Sequence, residues 1–122
     1  MAKTVLVIDD HHDMLDLLRN LLTEEGYQVW TADSAFSAQE ILHKDVPDAV
    51  VLDIMMADRP GIELLENIRW DPRLKDLPVI CLSAGHFSAE TLEFIQEFSS
   101  GLVDKANLGE LMERLREILA EK

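Results

Sequence analysis

Three stretches of this chain are apolar without interruption: Val5–Ile8, Ala49–Leu52 and Val79–Leu82. Unbroken runs of that length are what strands covered on both faces require. Two other short stretches, Tyr27–Thr31 and Gly101–Lys105, mix polar with β-prone residues and suit the edges of a sheet. Between the runs the period changes to that of a helix. Met14, Leu17, Leu18, Leu21 and Glu25 share one helical face, widened by Leu15 and Leu22, and Gly26 stops it. Ser34 caps a second helix whose apolar positions are Ala35, Ala38, Ile41 and Leu42. Gly61 leads into a third, with Ile62, Leu64, Leu65 and Ile68, and the charged loop Asp71–Leu77 follows. Ser88 caps a fourth, carrying Leu92, Phe94, Ile95 and Phe98. Asn107, with Glu110 three residues on, opens a fifth whose face is Leu108, Leu111, Met112, Leu115, Ile118 and Leu119. The outer edge of this last stripe is a candidate surface for a homodimer.

Five alternations of strand and helix imply parallel strands joined by crossover helices. The polar second and fifth strands belong at the edges, which gives an α/β fold: a flavodoxin-like, doubly wound, five-stranded parallel sheet of order 2-1-3-4-5 with five helices. In that order the chain reverses direction between strands one and three, so their C-terminal ends flank a crevice, the usual ligand position in open α/β sheets.

Composition narrows the function. The 122 residues suit one domain spanning 1–122 with a real core, and no output domain follows the last helix. Net charge is −13, from 24 acids against 11 bases, which disfavours direct contact with nucleic acid or a membrane surface. The single cysteine, Cys81, lies in an apolar run and reads as an inert core residue. The apolar start is too short for a signal peptide and no run approaches membrane-spanning length, so a cytoplasmic protein is expected.

The chemistry lies where strands end. Strand one runs into Asp9 and Asp10, and strand three into Asp53. Carboxylates gathered at adjacent ends repel one another, and a hard divalent cation relieves this. Mg2+ takes oxygen ligands and is typically held by one or two carboxylates plus a phosphate. The backbone carbonyl of Met55 can add an oxygen. Zinc is less expected: His11 and His12 adjoin the acids, but consecutive residues do not share a helix face, and both read as a solvated helix start. Ser83 ends strand four and Lys105 ends strand five, a hydroxyl and an ammonium suited to a phosphoryl group.

In these residues the chain resembles the receiver domain of the bacterial two-component response regulators, the family of the chemotaxis regulator. The likeness rests on Asp9-Asp10, Asp53, Ser83-Ala84, Lys105, their spacing, and Gly61 in the loop after Asp53. It implies that Asp53 is the phosphoacceptor and that Asp9, Asp10, Asp53 and the Met55 carbonyl bind Mg2+. Ser83, with Ala84 beside it, and Lys105 would bind the phosphoryl group. The donor would be the phosphohistidine of a sensor histidine kinase or histidine phosphotransfer protein. A downstream protein would be engaged through the helix 4–strand 5–helix 5 face. Such a domain is no turnover enzyme; it catalyses only its own phosphorylation and dephosphorylation.

Three positions depart from the family pattern. Ala106 follows the lysine where proline is usual, Leu102 stands where a Tyr or Phe commonly reports phosphorylation, and Ala57 replaces the proline four residues after the phosphoacceptor. A trans bond before Ala106 is expected, since a non-proline cis bond costs about 2.5–4 kcal/mol. The departures motivate an alternative, a receiver-like interaction module that works without phosphorylation. A Mg2+-dependent phosphatase with an aspartyl nucleophile is the third reading, disfavoured because Met55 stands where such enzymes place a general acid.

Overall fold

The structure, a computed structural model, describes residues 2–120. Strands β1 (Thr4–Ile8), β2 (Gln28–Ala32), β3 (Ala49–Asp53), β4 (Val79–Ser83) and β5 (Gly101–Asp104) alternate with helices. These are α1 (His12–Glu24), α2 (Ala35–Lys44), α3 (Gly61–Trp70), α4 (Ala89–Phe98) and α5 (Leu108–Leu119). All neighbouring strands are parallel and the order is β2-β1-β3-β4-β5, as the distribution of polar residues predicts.

The pleat sorts the apolar runs into two cores. Leu6, Ile8, Val50, Leu52, Val79 and Cys81 face one side, packed under α2, α3 and α4. Val5, Val7, Ala49, Val51, Ile80 and Leu82 face the other, under α1 and α5. Because both sides are covered, β1, β3 and β4 need no polar alternation, and burial pushes the Cys81 thiol up to about 12. Among the described residues no helix is long and apolar enough to cross a membrane.

The capping chemistry holds. Ser34, Ser88 and Asn107 each accept the N–H of the third residue on, and α1 closes on Gly26 at φ +98°. There the Gly26 and Tyr27 N–H groups reach the Thr23 and Leu22 carbonyls, the paired bonds of a Schellman turn. One expectation changes. The buried face of α1 is Leu15, Leu18 and Leu22, while Leu17 is 44% exposed and Met14 and Leu21 are only half-buried. A leucine-rich helix offers two overlapping stripes, and the sheet selects one of them. Trp70, at the last position of α3, is 72% exposed, its ring tilted against that of Phe98 with centroids 6.5 Å apart.

Gly61 starts α3 directly beneath the end of β3. Its N–H donates to the Ile54 carbonyl, and a Cβ there would stand 2.6 Å from the Asp53 carbonyl oxygen and 2.7 Å from the Ile54 Cα. Close approach of backbone to backbone, not a left-handed φ, demands this glycine. Gly61→Ala should therefore destabilise the fold by about 1–3 kcal/mol, read as a lower urea midpoint. Gly26→Ala, at a positive φ in open space, should cost about 1 kcal/mol. An unchanged midpoint for Gly61→Ala would contradict the account.

Candidate functional site

The ladder carries one residue past β1: the Asp9 N–H donates to the Ala32 carbonyl at 3.1 Å, which seats the Asp9 carboxylate at the sheet rim, fully buried. Asp9 Oδ1 then accepts the His11 N–H at 2.9 Å and so helps to start α1. Asp53, the last residue of β3, is equally buried, and its Oδ1 accepts the Met55 N–H at 3.0 Å. The Lys105 N–H bonds the Ser83 carbonyl at 2.9 Å, which fixes the lysine just beyond β5. Its Nζ lies 3.0 Å from Asp9 Oδ2 and 3.2 Å from Asp53 Oδ2. Asp10 leans over the same crevice, and its Oδ2 accepts the Ala57 N–H at 2.8 Å.

Three carboxylates thus face one ammonium, and the site keeps an excess of negative charge. Burial raises the Asp53 pKa, and the Asp9 charge pushes it the same way against the Met55 N–H and Lys105. For Lys105 burial acts downward, but the two aspartates outweigh it and raise its pKa. Asp9 Oδ2, Asp10 Oδ1 and Asp53 Oδ2 are buried and make no well-aligned hydrogen bond, their nearest partners being the Lys105 ammonium for the first and third and His11 Nδ1 for the second. Lys105 lies near two of these oxygens as a charge. Three carboxylates crowded around a pocket with one ammonium fit an oxygen-seeking divalent cation such as Mg2+.

The sequence-based candidates fall into two groups. Asp9, Asp10, Asp53 and Lys105 converge. Met55 adjoins them through its backbone while the residue as a whole is largely exposed. Ser83 stands at the right strand end, but its hydroxyl is tied to Gly85, accepting the N–H at 3.0 Å and donating to the carbonyl at 3.2 Å. Ala84 is exposed beside it, and Leu102 is half-buried against the core under α4. The Lys105–Ala106 bond is trans, there being no cis peptide among the described residues.

Sequence reasoning underweighted three groups. His11 is the largely exposed N-cap of α1, and its Nδ1 also lies 3.1 Å from both Asp9 Oδ1 and Asp10 Oδ1. His12 turns away to Asp33, 3.2 Å distant. Ala57 contributes an N–H that no side-chain pattern announces. Asp58 caps α2 from outside, accepting the Ala35 and Phe36 N–H groups at 3.2 and 3.3 Å. Slight desolvation acts upward on its pKa, and backbone donors from Ala35, Phe36 and Arg59 together bring it below the usual range.

The charge on Asp53 opposes folding. Its folded pKa is raised, so the folded state holds the proton more tightly; this contribution to stability is present at low pH and lost as pH rises through the raised value. Asp53→Asn removes the charge and should stabilise the protein near neutral pH by about 1–2 kcal/mol. The gap should narrow toward pH ~4, where unfolded carboxylates protonate. Urea midpoints of both proteins across that range test it, and a gap that is constant or reversed would contradict it.

Comparison with known proteins agrees with this geometry. The sequence model of the family described as response regulator receiver domain matches residues 5–116. The N-terminal domain of a response regulator receiver protein from Methanoculleus marisnigri is 32% identical, with both chains covered in full and a TM-score of 0.79. The response regulator TrrA from Thermotoga maritima, solved in complex with Mg2+ and BeF, is also 32% identical over 96% of this chain and 99% of its own, with a TM-score of 0.84. A Vibrio cholerae chemotaxis protein shares the fold, with a TM-score of 0.88 at 24% identity over 98% of this chain and all of its own. Acids at the ends of β1 and β3 and a lysine after β5 are here the parts of one sheet rim, and the chain belongs to the response regulator receiver domains of two-component signalling.

Proposed function

We propose that this receiver domain accepts a phosphoryl group on Asp53 from the phosphohistidine of a sensor histidine kinase or histidine phosphotransfer protein. The observation that carries the reading is the fully buried Asp53, whose Oδ2 stands 3.2 Å from the Lys105 ammonium. That oxygen attacks phosphorus while the phosphorus–nitrogen bond of the donor breaks, and the electron pair returns to the leaving imidazole, which takes up a proton from solvent. The result is an acyl phosphate on Asp53.

Asp9, Asp10, Asp53 and the Met55 carbonyl would hold Mg2+, which when bound neutralises phosphoryl charge. The Met55 N–H on Oδ1 orients the Asp53 carboxylate so that Oδ2 is presented to the donor. Lys105 offsets charge that the phosphate brings. The Ser83 hydroxyl leaves Gly85 and donates to a phosphoryl oxygen, and this exchange starts the switch. The change is read by a downstream protein at the α4–β5–α5 face, where Leu102 replaces the usual aromatic reporter. Positioning and electrostatics account for the catalysis, and the domain turns over no substrate beyond its own phosphate. The acidic composition and the absence of a membrane-crossing helix among the described residues fit a cytoplasmic setting.

Incubation with acetyl phosphate or phosphoramidate and Mg2+ should add one phosphoryl mass to the intact protein, and none to Asp53→Asn. Wild type left unlabelled, or Asp53→Asn labelled equally, would refute the proposal. Lys105→Ala should lower the labelling rate by about tenfold or more, since a charge beside the reacting oxygens is lost.

A further inference from the structure

We propose that His11 turns this rim into a mixed imidazole–carboxylate site that takes a borderline transition cation, of the Co2+, Ni2+ or Zn2+ class, in preference to Mg2+. The proposal rests on the reading of the acid cluster as a divalent-cation site and departs from it in the identity of the cation.

One ligand atom each from Asp9, Asp10, His11 and Asp53 lies within 4.8 Å of the others. The separations have the form of a coordination shell. With bonds of about 2.1 Å, neighbouring ligands of an octahedral ion stand about 3.0 Å apart and opposite ones about 4.2 Å. His11 Nδ1 is 3.1 Å from Asp9 Oδ1, 3.1 Å from Asp10 Oδ1 and 4.0 Å from Asp53 Oδ2. His11 is the N-cap of α1 and makes no side-chain cap bond, while its backbone N–H is anchored on Asp9. The Asp9 and Asp53 side chains are 1% and 0% exposed, and their Oδ2 atoms, with no well-aligned hydrogen bond, share the single Lys105 ammonium, so the buried charge is only partly compensated.

Imidazole nitrogen distinguishes cations where carboxylates do not. It suits zinc, copper, iron and nickel, whereas carboxylate, carbonyl and water suit Mg2+. The mostly exposed ring lets a hydrated ion enter without opening the core, and Lys105 remains on the far side, against Asp9 Oδ2 and Asp53 Oδ2. His12, engaged with Asp33, takes no part and serves as an internal control.

The full chain should be titrated with Mg2+ and with Co2+ by calorimetry, as wild type, His11→Ala, His11→Asn (which keeps a good N-cap), His12→Ala and Asp10→Ala. Loss of His11 should weaken Co2+ binding by about tenfold or more, as removal of a well-placed ligand partner does. Mg2+ affinity should move less than about twofold. Proton NMR of the Co2+ form should show a hyperfine-shifted, exchangeable imidazole N–H in wild type and His12→Ala that is missing in both His11 variants. An unchanged Co2+ to Mg2+ affinity ratio in both His11 variants would overturn the proposal while leaving the acid-cluster reading in place, as would an N–H signal that depends on His12. Failure of both ions to bind, or binding indifferent to Asp10→Ala, would overturn both readings, whereas failure of Co2+ alone would overturn only the proposal for His11.

Discussion

Two carboxylates buried at the ends of neighbouring strands repel each other, and here the Lys105 ammonium is wedged between Asp9 and Asp53. The rest of the structure serves this contact. The apolar runs of β1, β3 and β4 bury the strand ends deeply enough that water does not screen the charges. The Ser83 carbonyl fixes Lys105, the Ala32 carbonyl fixes Asp9, and Gly61 lets α3 start close enough beneath β3 to shape the loop after Asp53. Lys105 compensates only part of the charge, so the rim keeps a negative excess.

The fold was legible because its signals are local and redundant. Continuous apolar runs, helical spacing and side-chain caps at Ser34, Ser88 and Asn107 all pointed to the same ten elements, and the polar residues of β2 and β5 gave the strand order. The choice of face on α1 was not legible, since Met14, Leu17 and Leu21 form as good a stripe as Leu15, Leu18 and Leu22. Only packing against the sheet decides between them. The exposure of Trp70 likewise depends on where α3 stops relative to the core.

At the site, residues whose side chains act at strand ends were readable from position and charge: Asp9, Asp10, Asp53 and Lys105. Contributions made by rotamer or backbone were not. His11 and His12 look equivalent in the sequence, yet one ring folds over the acids and the other reaches Asp33. Ser83 was placed correctly on its strand, but nothing in the sequence tells that its hydroxyl is held by Gly85.

At both positions where family resemblance leads one to look for proline, this chain has alanine, and both alanine N–H groups are donated to an aspartate. Ala57 bonds Asp10, and Ala106 bonds Asp104 at 2.8 Å. Proline carries no N–H and could make neither bond. A backbone donor also differs from a side chain in how it can be lost: every substitution but one preserves it. These two latches are therefore silent to alanine scanning and robust to almost all mutational drift, and a single codon change toward the family's usual residue would abolish either at once.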